Sequence, residues 1–185
     1  MASTTATRQQ QQQQQPELKL FDPDMRIPDK IRVPKLQTNL LINNRWVHPR
    51  VDKTFATINP ATGETICQVS EAHAEDVDLA VHAAKNAFPA WSTTPGTERA
   101  RLLHRLAQLI EEHQDEIAAI ESLDSGKPYA SHVKKFDLPL AANTYRYYAG
   151  WADKIQGKTI PVAGPYHAYS LLQPVGVVGA IIPWN

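Results

Sequence analysis

The last eleven residues of the sequence, VGVVGAIIPWN, hold residue types that could do chemistry. An apolar run, residues 175–182, leads into a rigid proline, a large indole and the carboxamide of Asn185. Open α/β sheets bind ligands at the carboxyl ends of their strands. At such an end Asn185 can donate side-chain N–H bonds to developing negative charge, and the backbone of Ile181 and Ile182 can meet a cofactor. The alternative is a plain exit from a strand into a loop, with an asparagine turn.

Other catalytic patterns are not found in the sequence. The eight glycines never form G-x-G-x-x-G, and Gly126-Lys127 lacks both the upstream glycine and the following Ser/Thr of a phosphate-binding loop. The seven histidines show no metal-binding spacing. The single cysteine, Cys67, lies in a β-type run rather than at a helix start, which favours an ordinary strand thiol over a nucleophile.

Two β-hairpins are predicted ahead of the helical part of the chain. In LLINNRWV, the pair Asn43-Asn44 can take the left-handed turn conformation between two short β-type runs. The β-type runs at residues 55–58 and 64–70 flank NPATG, whose proline, asparagine and glycine suit a tight connection.

Three helices are predicted after these hairpins. The first covers residues 74–88, with apolar residues at helical spacing. The second begins with Thr94 as N-cap and Pro95 as first helical residue, and it stops near Gly126. The third begins after Asp137 and runs to about Ile155. Its aromatic stripe is predicted to pack in the core and comprises Tyr145, Tyr148 and Trp151.

The last 29 residues of the chain differ from the preceding part in charge and in their predicted secondary structure. No acidic residue occurs from Gly157 onward, and the pattern predicts an extended arm, a strand at residues 167–172 and a buried strand at residues 175–182. A continuous apolar strand after a helical block is typical of a parallel sheet covered on both faces. No further strand follows it in the sequence, so the α/β domain is predicted to be incomplete.

Residues 1–37 are predicted to form a disordered tail. Seven consecutive glutamines, residues 9–15, are followed by prolines every five to seven residues, and such a segment has little to bury. A mitochondrial transit peptide is the alternative, but it is normally rich in arginine, and only Arg8 precedes Glu17.

Composition narrows the class of protein further. Nineteen Lys and Arg balance nineteen Asp and Glu, which gives no electrostatic reason to expect a nucleic-acid partner or a membrane surface. No run approaches the roughly 18 apolar residues of a spanning helix. One cysteine is compatible with a reducing compartment, so a cytoplasmic location is predicted.

Five segments read together resemble the N-terminal third of the NAD(P)-dependent aldehyde dehydrogenase superfamily, over about residues 40–185. They are INPATGETICQVS, EDVDLAVHAAKNAFPAW, RLLHRLAQLIEEHQDEIAAIESLDSGKP, YYAGWADKIQGKTIPV and PVGVVGAIIPWN. The resemblance implies a Rossmann-like α/β fold and the oxidation of small aliphatic or aromatic aldehydes to carboxylic acids. It also implies NAD or NADP as cofactor and a homo-oligomer of full-length chains.

The same resemblance divides the chain into parts. Residues 38–155 correspond to the first part of the cofactor-binding domain. Residues 156–174 correspond to a β-type oligomerisation arm that pairs with neighbouring subunits. Residues 175–185 correspond to the first core strand and the start of the active-site loop.

The resemblance also assigns roles to individual residues. Asn185 matches the family's PWN asparagine, which donates one hydrogen bond of the oxyanion hole. The residues that would contact NAD are Ile181, Ile182, Pro183 and Trp184. Some members bind a structural monovalent cation, and the corresponding residues are Thr57, Ile58 and Asp124.

The departures from the family pattern leave two hypotheses. The family's nucleophilic cysteine and general-base glutamate lie downstream of PWN, and Cys67 does not match the catalytic position. Covalent acyl transfer needs both an activated thiolate and a base. The chain is therefore expected to be a catalytically incomplete piece of an aldehyde dehydrogenase. The alternative is a short product that acts without catalysis, by association with other subunits.

Overall fold

The computed structural model describes residues 27–28 and 35–182. Two antiparallel hairpins come first: β1 (Leu40–Ile42) with β2 (Arg45–Val47), and β3 (Thr54–Ile58) with β4 (Thr65–Ser70). In the first turn Asn43 and Asn44 have φ values of 51° and 57°, the left-handed conformation that the sequence predicts there. The second turn is closed by Asn59, whose carbonyl oxygen accepts the Gly63 N–H at 2.8 Å.

Helix α1 (Ala74–Ser92) extends four residues beyond its predicted end, with Pro89 inside it. The Thr94 hydroxyl, predicted to cap the start of the next helix, instead donates to the carbonyl oxygen of Ala90 at 3.1 Å. Thr94 therefore serves the end of α1. Pro95 is the N-cap of the following helix rather than its first helical residue, since its φ and ψ are −57° and 146°.

The single helix predicted over residues 94–126 is two helices, α2 (Gly96–Glu112) and α3 (Gln114–Ser125). The break lies at His113, where φ and ψ are −105° and 21°. After the break the two helices pack against different partners, α2 along α4 and α3 against the π-helix defined below. The prediction was wrong because an uninterrupted apolar stripe does not show that its two halves face different neighbours.

A π-helix (Tyr129–Asp137), which the sequence analysis did not predict, follows α3. Its wider turn is visible in the i→i+5 hydrogen bond from the Val133 N–H to the carbonyl oxygen of Pro128 at 3.1 Å. π-Helices of this length are rare. Tyr129 and Val133 on this helix are buried with Ala118 and Ala119 of α3, and together they form the core cluster.

Ile27 packs against the same core cluster. This contact places one apolar side chain of the proline-containing stretch against the core, and the disorder of residues 1–37 as a whole stays a prediction. Residues 1–26 and 29–34, including the glutamine run, lie outside the described residues.

Helix α4 (Leu138–Trp151) begins where the sequence predicts and ends four residues before Ile155. It packs along α2, and three alanines buried in this pair of helices, Ala107, Ala142 and Ala149, allow the helices to approach closely. The aromatic stripe of α4 was predicted to be core, yet Tyr148 and Trp151 are 59% and 51% exposed. Both side chains border an open groove rather than a packed interior.

Beyond α4, the only paired strands within residues 152–182 are β5 (Thr159–Ile160) and β6 (Ala168–Tyr169), which form a short hairpin. The predicted strand at residues 167–172 is thus reduced to two residues. The buried strand predicted at residues 175–182 is not formed, and Val175 and Ile181 are 91% and 101% exposed. A strand needs neighbours for its backbone N–H and C=O groups, and no described strand lies beside this segment.

Candidate functional site

The residues predicted to do chemistry are not assembled into a site within the described chain. Pro183, Trp184 and Asn185 lie outside the described residues. Ile181 and Ile182, predicted to contact NAD, are in irregular backbone with exposed side chains. Neither residue lines any of the cavities described below, and their contact with NAD stays a prediction.

Two of the three predicted cation ligands lie around one cavity. It encloses about 430 Å³ between the β3–β4 hairpin and α3, and both Thr57 and Asp124 line it. Ile58 does not line it, and its side chain is 48% exposed. The Thr57 hydroxyl lies 3.5 Å from the carbonyl oxygen of Cys67. Among the described residues, no three His, Cys, Asp or Glu side chains gather as metal ligands would.

Cys67 lines the same cavity from β4. It is half-buried, and its Sγ lies 3.4 Å from Oγ1 of Thr57, its cross-strand neighbour. Much of the remaining lining is apolar and includes Ile66, Val69, Ile117 and Ile120. This environment agrees with the interpretation of Cys67 as an ordinary strand thiol.

The end of α3 is seated on the β3–β4 turn. Gly126 caps the helix in the left-handed conformation, with φ of 74°, and a Cβ placed on it would lie 2.8 Å from Cγ of Pro60. The hydroxyl of Ser122, one turn earlier, donates to the carbonyl oxygen of Lys127 at 2.6 Å. Residue 126 therefore has to be glycine for two reasons, backbone conformation and the closeness of the Pro60 ring.

Partly buried polar contacts attach the π-helix to α3 at its start. The Tyr129 hydroxyl donates to Oδ1 of Asp115 at 2.8 Å, and Lys134 forms an ion pair with the same carboxylate. Burial raises the pKa of Tyr129 to about 12, and the negative charge of Asp115 beside the hydroxyl contributes further.

The far end of the π-helix is attached by Lys127. Its Nζ lies 2.9 Å from Oδ2 of Asp137 and 3.4 Å from Oε1 of Glu121. The hydrogen bond to Asp137 holds the pKa of the Lys127 ammonium above its usual value. These contacts hold the end of the π-helix to α3, and periodicity in the sequence does not reveal this polar network.

A groove of about 1080 Å³ is bordered by α1, α2, α4 and the segment after α4. Its lining is mainly apolar and includes Trp91, Leu102, Leu106, Tyr148, Trp151 and Leu172. The sequence analysis missed it because the same apolar spacing describes a buried stripe and an open one equally well.

The arm after α4 is closed at its base by backbone contact. The Ser170 N–H donates to the carbonyl oxygen of Lys158 at 2.8 Å, and the Lys158 N–H donates to Oγ of Ser170 at 2.9 Å. A Cβ on Gly157 would lie 1.8 Å from the Ser170 carbonyl oxygen, so the two segments touch at that point. Apolar side chains of the arm stay exposed, among them Ile160, Val162, Leu171 and Leu172.

No helix in residues 27–28 or 35–182 combines the length and apolar character of a membrane span.

Comparison with known proteins gives consistent matches over these same elements. The sequence profile described as "Aldehyde dehydrogenase family" matches residues 46–185. A mitochondrial aldehyde dehydrogenase of Rattus norvegicus is 48% identical over 163 residues, which cover 86% of this chain and 31% of that protein. A mitochondrial benzaldehyde dehydrogenase of Antirrhinum majus is 49% identical over 148 residues, which cover 79% of this chain and 28% of that protein.

A solved structure agrees in fold as well as in sequence. The NAD⁺ complex of an aldehyde dehydrogenase from Bacillus cereus superposes with a TM-score of 0.66 at 45% identity, covering 71% of this chain and 27% of that one. The prediction of an α/β fold of this kind is thereby confirmed. The chain spans under a third of the length of each of these three proteins.

Proposed function

Since the chain belongs to the aldehyde dehydrogenase family, we propose that the protein containing it oxidises aldehydes to carboxylic acids with NAD⁺ or NADP⁺. The observation that carries this proposal is the continuous family match over residues 46–185, which includes the PWN motif at residues 183–185. The near-half identity to named aldehyde and benzaldehyde dehydrogenases supports a small aliphatic or aromatic aldehyde as substrate.

Within this activity, we propose Asn185 as an oxyanion-hole donor. Its carboxamide would stabilise the charge that develops on the carbonyl oxygen after a thiolate attacks the aldehyde, and losing one such donor typically costs about 10²–10³ in rate. Nicotinamide chemistry would be supplied by the bound cofactor, which accepts the hydride. Ile181, Ile182, Pro183 and Trp184 are the residues that would contact this cofactor, as the family resemblance implies.

The test is an Asn185→Ala change in a polypeptide that contains this sequence together with the family's catalytic cysteine. NADH formation from NAD⁺ and propanal should fall by about 10²–10³ in kcat, with little change in NAD⁺ affinity, because the carboxamide acts on charge that appears during reaction. Asn143→Ala, an exposed asparagine on α4, is the matched control and should leave the rate unchanged. Equal rates for Asn185→Ala and wild type would remove the oxyanion role.

The 185-residue polypeptide assayed alone should form no NADH. Its only thiol is Cys67, which lies on β4 with its Sγ 3.4 Å from Oγ1 of Thr57. Turnover by this polypeptide that disappears in Cys67→Ser would contradict this reading of the cysteine.

The arm favours a second candidate function, association with other subunits without catalysis. Its exposed apolar side chains and its two-residue strands offer backbone and surface to a neighbour. The same arm serves the first proposal, as the part of a full-length protein that joins a homo-oligomer. Finding this short polypeptide bound to full-length subunits in cell extracts, with total activity unchanged by its removal, would favour the second function.

The proposal also includes a bound monovalent cation. Because Thr57 and Asp124 line one cavity, we propose that it holds a monovalent cation. The melting temperature should then rise when K⁺ or Na⁺ is added, and Asp124→Asn should reduce that rise.

A cytoplasmic location was predicted from composition. The relatives from Rattus norvegicus and Antirrhinum majus are both named as mitochondrial, which supports the mitochondrial alternative instead. Cell fractionation would decide between the two compartments.

A further inference from the structure

A cavity of about 620 Å³ lies between the β1–β2 hairpin and α1, apart from the predicted catalytic and cation residues. Four basic side chains from three stretches of the chain line it: Arg45 on β2, His48 and Arg50 after β2, and His82 on α1. The amides of Asn43 and Asn86 also line it. The cavity thus combines cations with neutral hydrogen-bond donors, which is the donor set that an oxyanion requires.

Neither arginine forms an ion pair with any residue in the described ranges. Other arginines of this protein do: Arg101 pairs with Glu98, Arg105 with Glu112 and Arg146 with Glu111. The guanidinium groups of Arg45 and Arg50 therefore keep their hydrogen-bond donors available at a shared cavity.

The one carboxylate that lines the cavity is already engaged. Asp76 is 2% exposed, and its Oδ1 and Oδ2 accept the backbone N–H groups of Arg50 and His73, each at 3.0 Å. The backbone hydrogen bond from His73 is the main cause that lowers the pKa of Asp76, and the positive charge of Arg50 lowers it further. The carboxylate thereby fixes the backbone of Arg50 against the start of α1 and places that arginine at the cavity.

Two further carboxylates lie nearby. Glu75 and Asp78 line an adjoining cavity of about 540 Å³ together with Arg50, Leu79 and His82. They do not line the first cavity, and neither forms an ion pair with Arg50 within the described chain. They weaken the positive potential around Arg50, so a ligand should be held mainly by directed hydrogen bonds from both arginines rather than by net charge.

We propose that this cavity binds a phosphate-class oxyanion, either free phosphate or the phosphate of a small ester. Arg45 and Arg50 would each present a planar fork of N–H donors to its oxygens, a geometry that suits phosphate. His48 and His82 add donors from two sides. This site is separate from the proposed dehydrogenase chemistry and depends only on residues 43–86.

The experiment uses the 185-residue chain and inorganic phosphate as probe, at low ionic strength, with ³¹P line broadening and calorimetry as readouts. Wild type should show saturable binding, with half-saturation below about 10 mM phosphate. Arg45→Gln and Arg50→Gln should each weaken binding about tenfold, because each removes a charge-assisted donor. Circular dichroism should confirm that both variants keep the wild-type helix content.

Lys85→Gln is the charge-matched control, since Lys85 is exposed on α1 and does not line the cavity. It should leave phosphate binding unchanged. His82→Gln removes a cavity side chain on α1 and should also weaken phosphate binding. It replaces either arginine variant if that variant fails to fold. Glycerol phosphate, run in parallel, distinguishes an ester ligand from free phosphate by which of the two binds more tightly. Absence of saturable binding by both probes, or an equal loss in Lys85→Gln and the arginine variants, would overturn the proposal.

Discussion

Arg99, in the first turn of α2, donates a hydrogen bond from Nη2 to the carbonyl oxygen of Ala152 at the end of α4, at 3.0 Å. The same guanidinium donates from Nη1 to the carbonyl oxygen of Thr94. Gly96 touches the same turn of α4, since a Cβ there would lie 2.6 Å from the Ala152 oxygen. One arginine and one glycine therefore join the start of α2 to the end of α4, where the arm begins.

Arg99→Ala should lower the free energy of unfolding by about 2 kcal/mol, because two partly buried carbonyl oxygens lose a charged donor. Arg101→Ala, which removes only an exposed ion pair with Glu98, is the control and should cost much less, because solvent screens an exposed pair. Urea unfolding followed by circular dichroism measures both. Equal losses in the two variants would show that the link between α2 and α4 contributes no more than a surface pair.

Gly126→Ala and Gly63→Ala separate backbone strain from steric contact. Both glycines have φ near +75°, but a Cβ on Gly63 meets nothing within 4 Å, whereas one on Gly126 lies 2.8 Å from Pro60. Gly63→Ala should cost about 1 kcal/mol for the left-handed conformation alone. Gly126→Ala should cost about 1–3 kcal/mol more through the clash. If chemical denaturation gave the same loss for both, the contact between α3 and the β3–β4 turn would not be tight.

Tyr129 should make stability fall at high pH. Its pKa is raised to about 12 in the folded protein from the ordinary value of 10.0, so the folded state holds this proton more tightly than the unfolded state. The resulting stabilisation is complete below pH 10 and is lost as the pH rises toward 12. Tyr129→Phe should therefore remove part of the decline in unfolding free energy over that interval.

A spectroscopic measurement provides an independent check on Tyr129. The sequence has six tyrosines, and ultraviolet titration of wild type should show one tyrosinate forming later than the rest. That late component should vanish in Tyr129→Phe and persist in Tyr147→Phe, which alters an exposed ring on α4. A late component that survives in Tyr129→Phe would assign the raised pKa to another residue.

Val178→Asp should slow aggregation of the 185-residue polypeptide several-fold. Val178 lies within an exposed apolar run with Val175, Ile181 and Ile182, and such β-prone runs associate unless a charge interrupts them. Val51→Asp introduces the same charge at a single exposed valine between β2 and β3, and it should change little. Light scattering at 37 °C compares them. Matching rates for the two variants would mean that net charge, rather than this segment, controls aggregation.

Local chemistry explains why some of the fold could be predicted from sequence. Asn43-Asn44 forms the turn because asparagine tolerates positive φ, a property of the residues themselves. The start of α4 after Asp137 is similarly marked by an adjacent proline. The break at His113 and the π-helix depend instead on which neighbours the chain meets, and helical periodicity carries no record of either.

The candidate site, like the fold, could be predicted from the sequence only in part. Thr57 and Asp124 share a cavity although 67 positions separate them in sequence, a relation that only the family resemblance suggested. The cavity at Arg45 and Arg50 was not predicted, because arginines without ion pairs look like any solvated surface in a sequence. Residues 175–182 failed as a strand for the opposite reason, since their strong apolar pattern requires partners that the described chain does not supply.

The close contact between Gly157 and Ser170 holds together the two segments at the base of the arm. Any side chain at position 157 would push the Ser170 carbonyl away and strain the two hydrogen bonds between Ser170 and Lys158. The hairpin would then open at its base, and the orientation of β5 and β6 relative to the rest of the chain would change. On the proposal that the arm joins subunits, a substitution at this glycine would weaken assembly while leaving the exposed apolar side chains of the arm intact, so an assembly defect need not be traced to the surface that assembles.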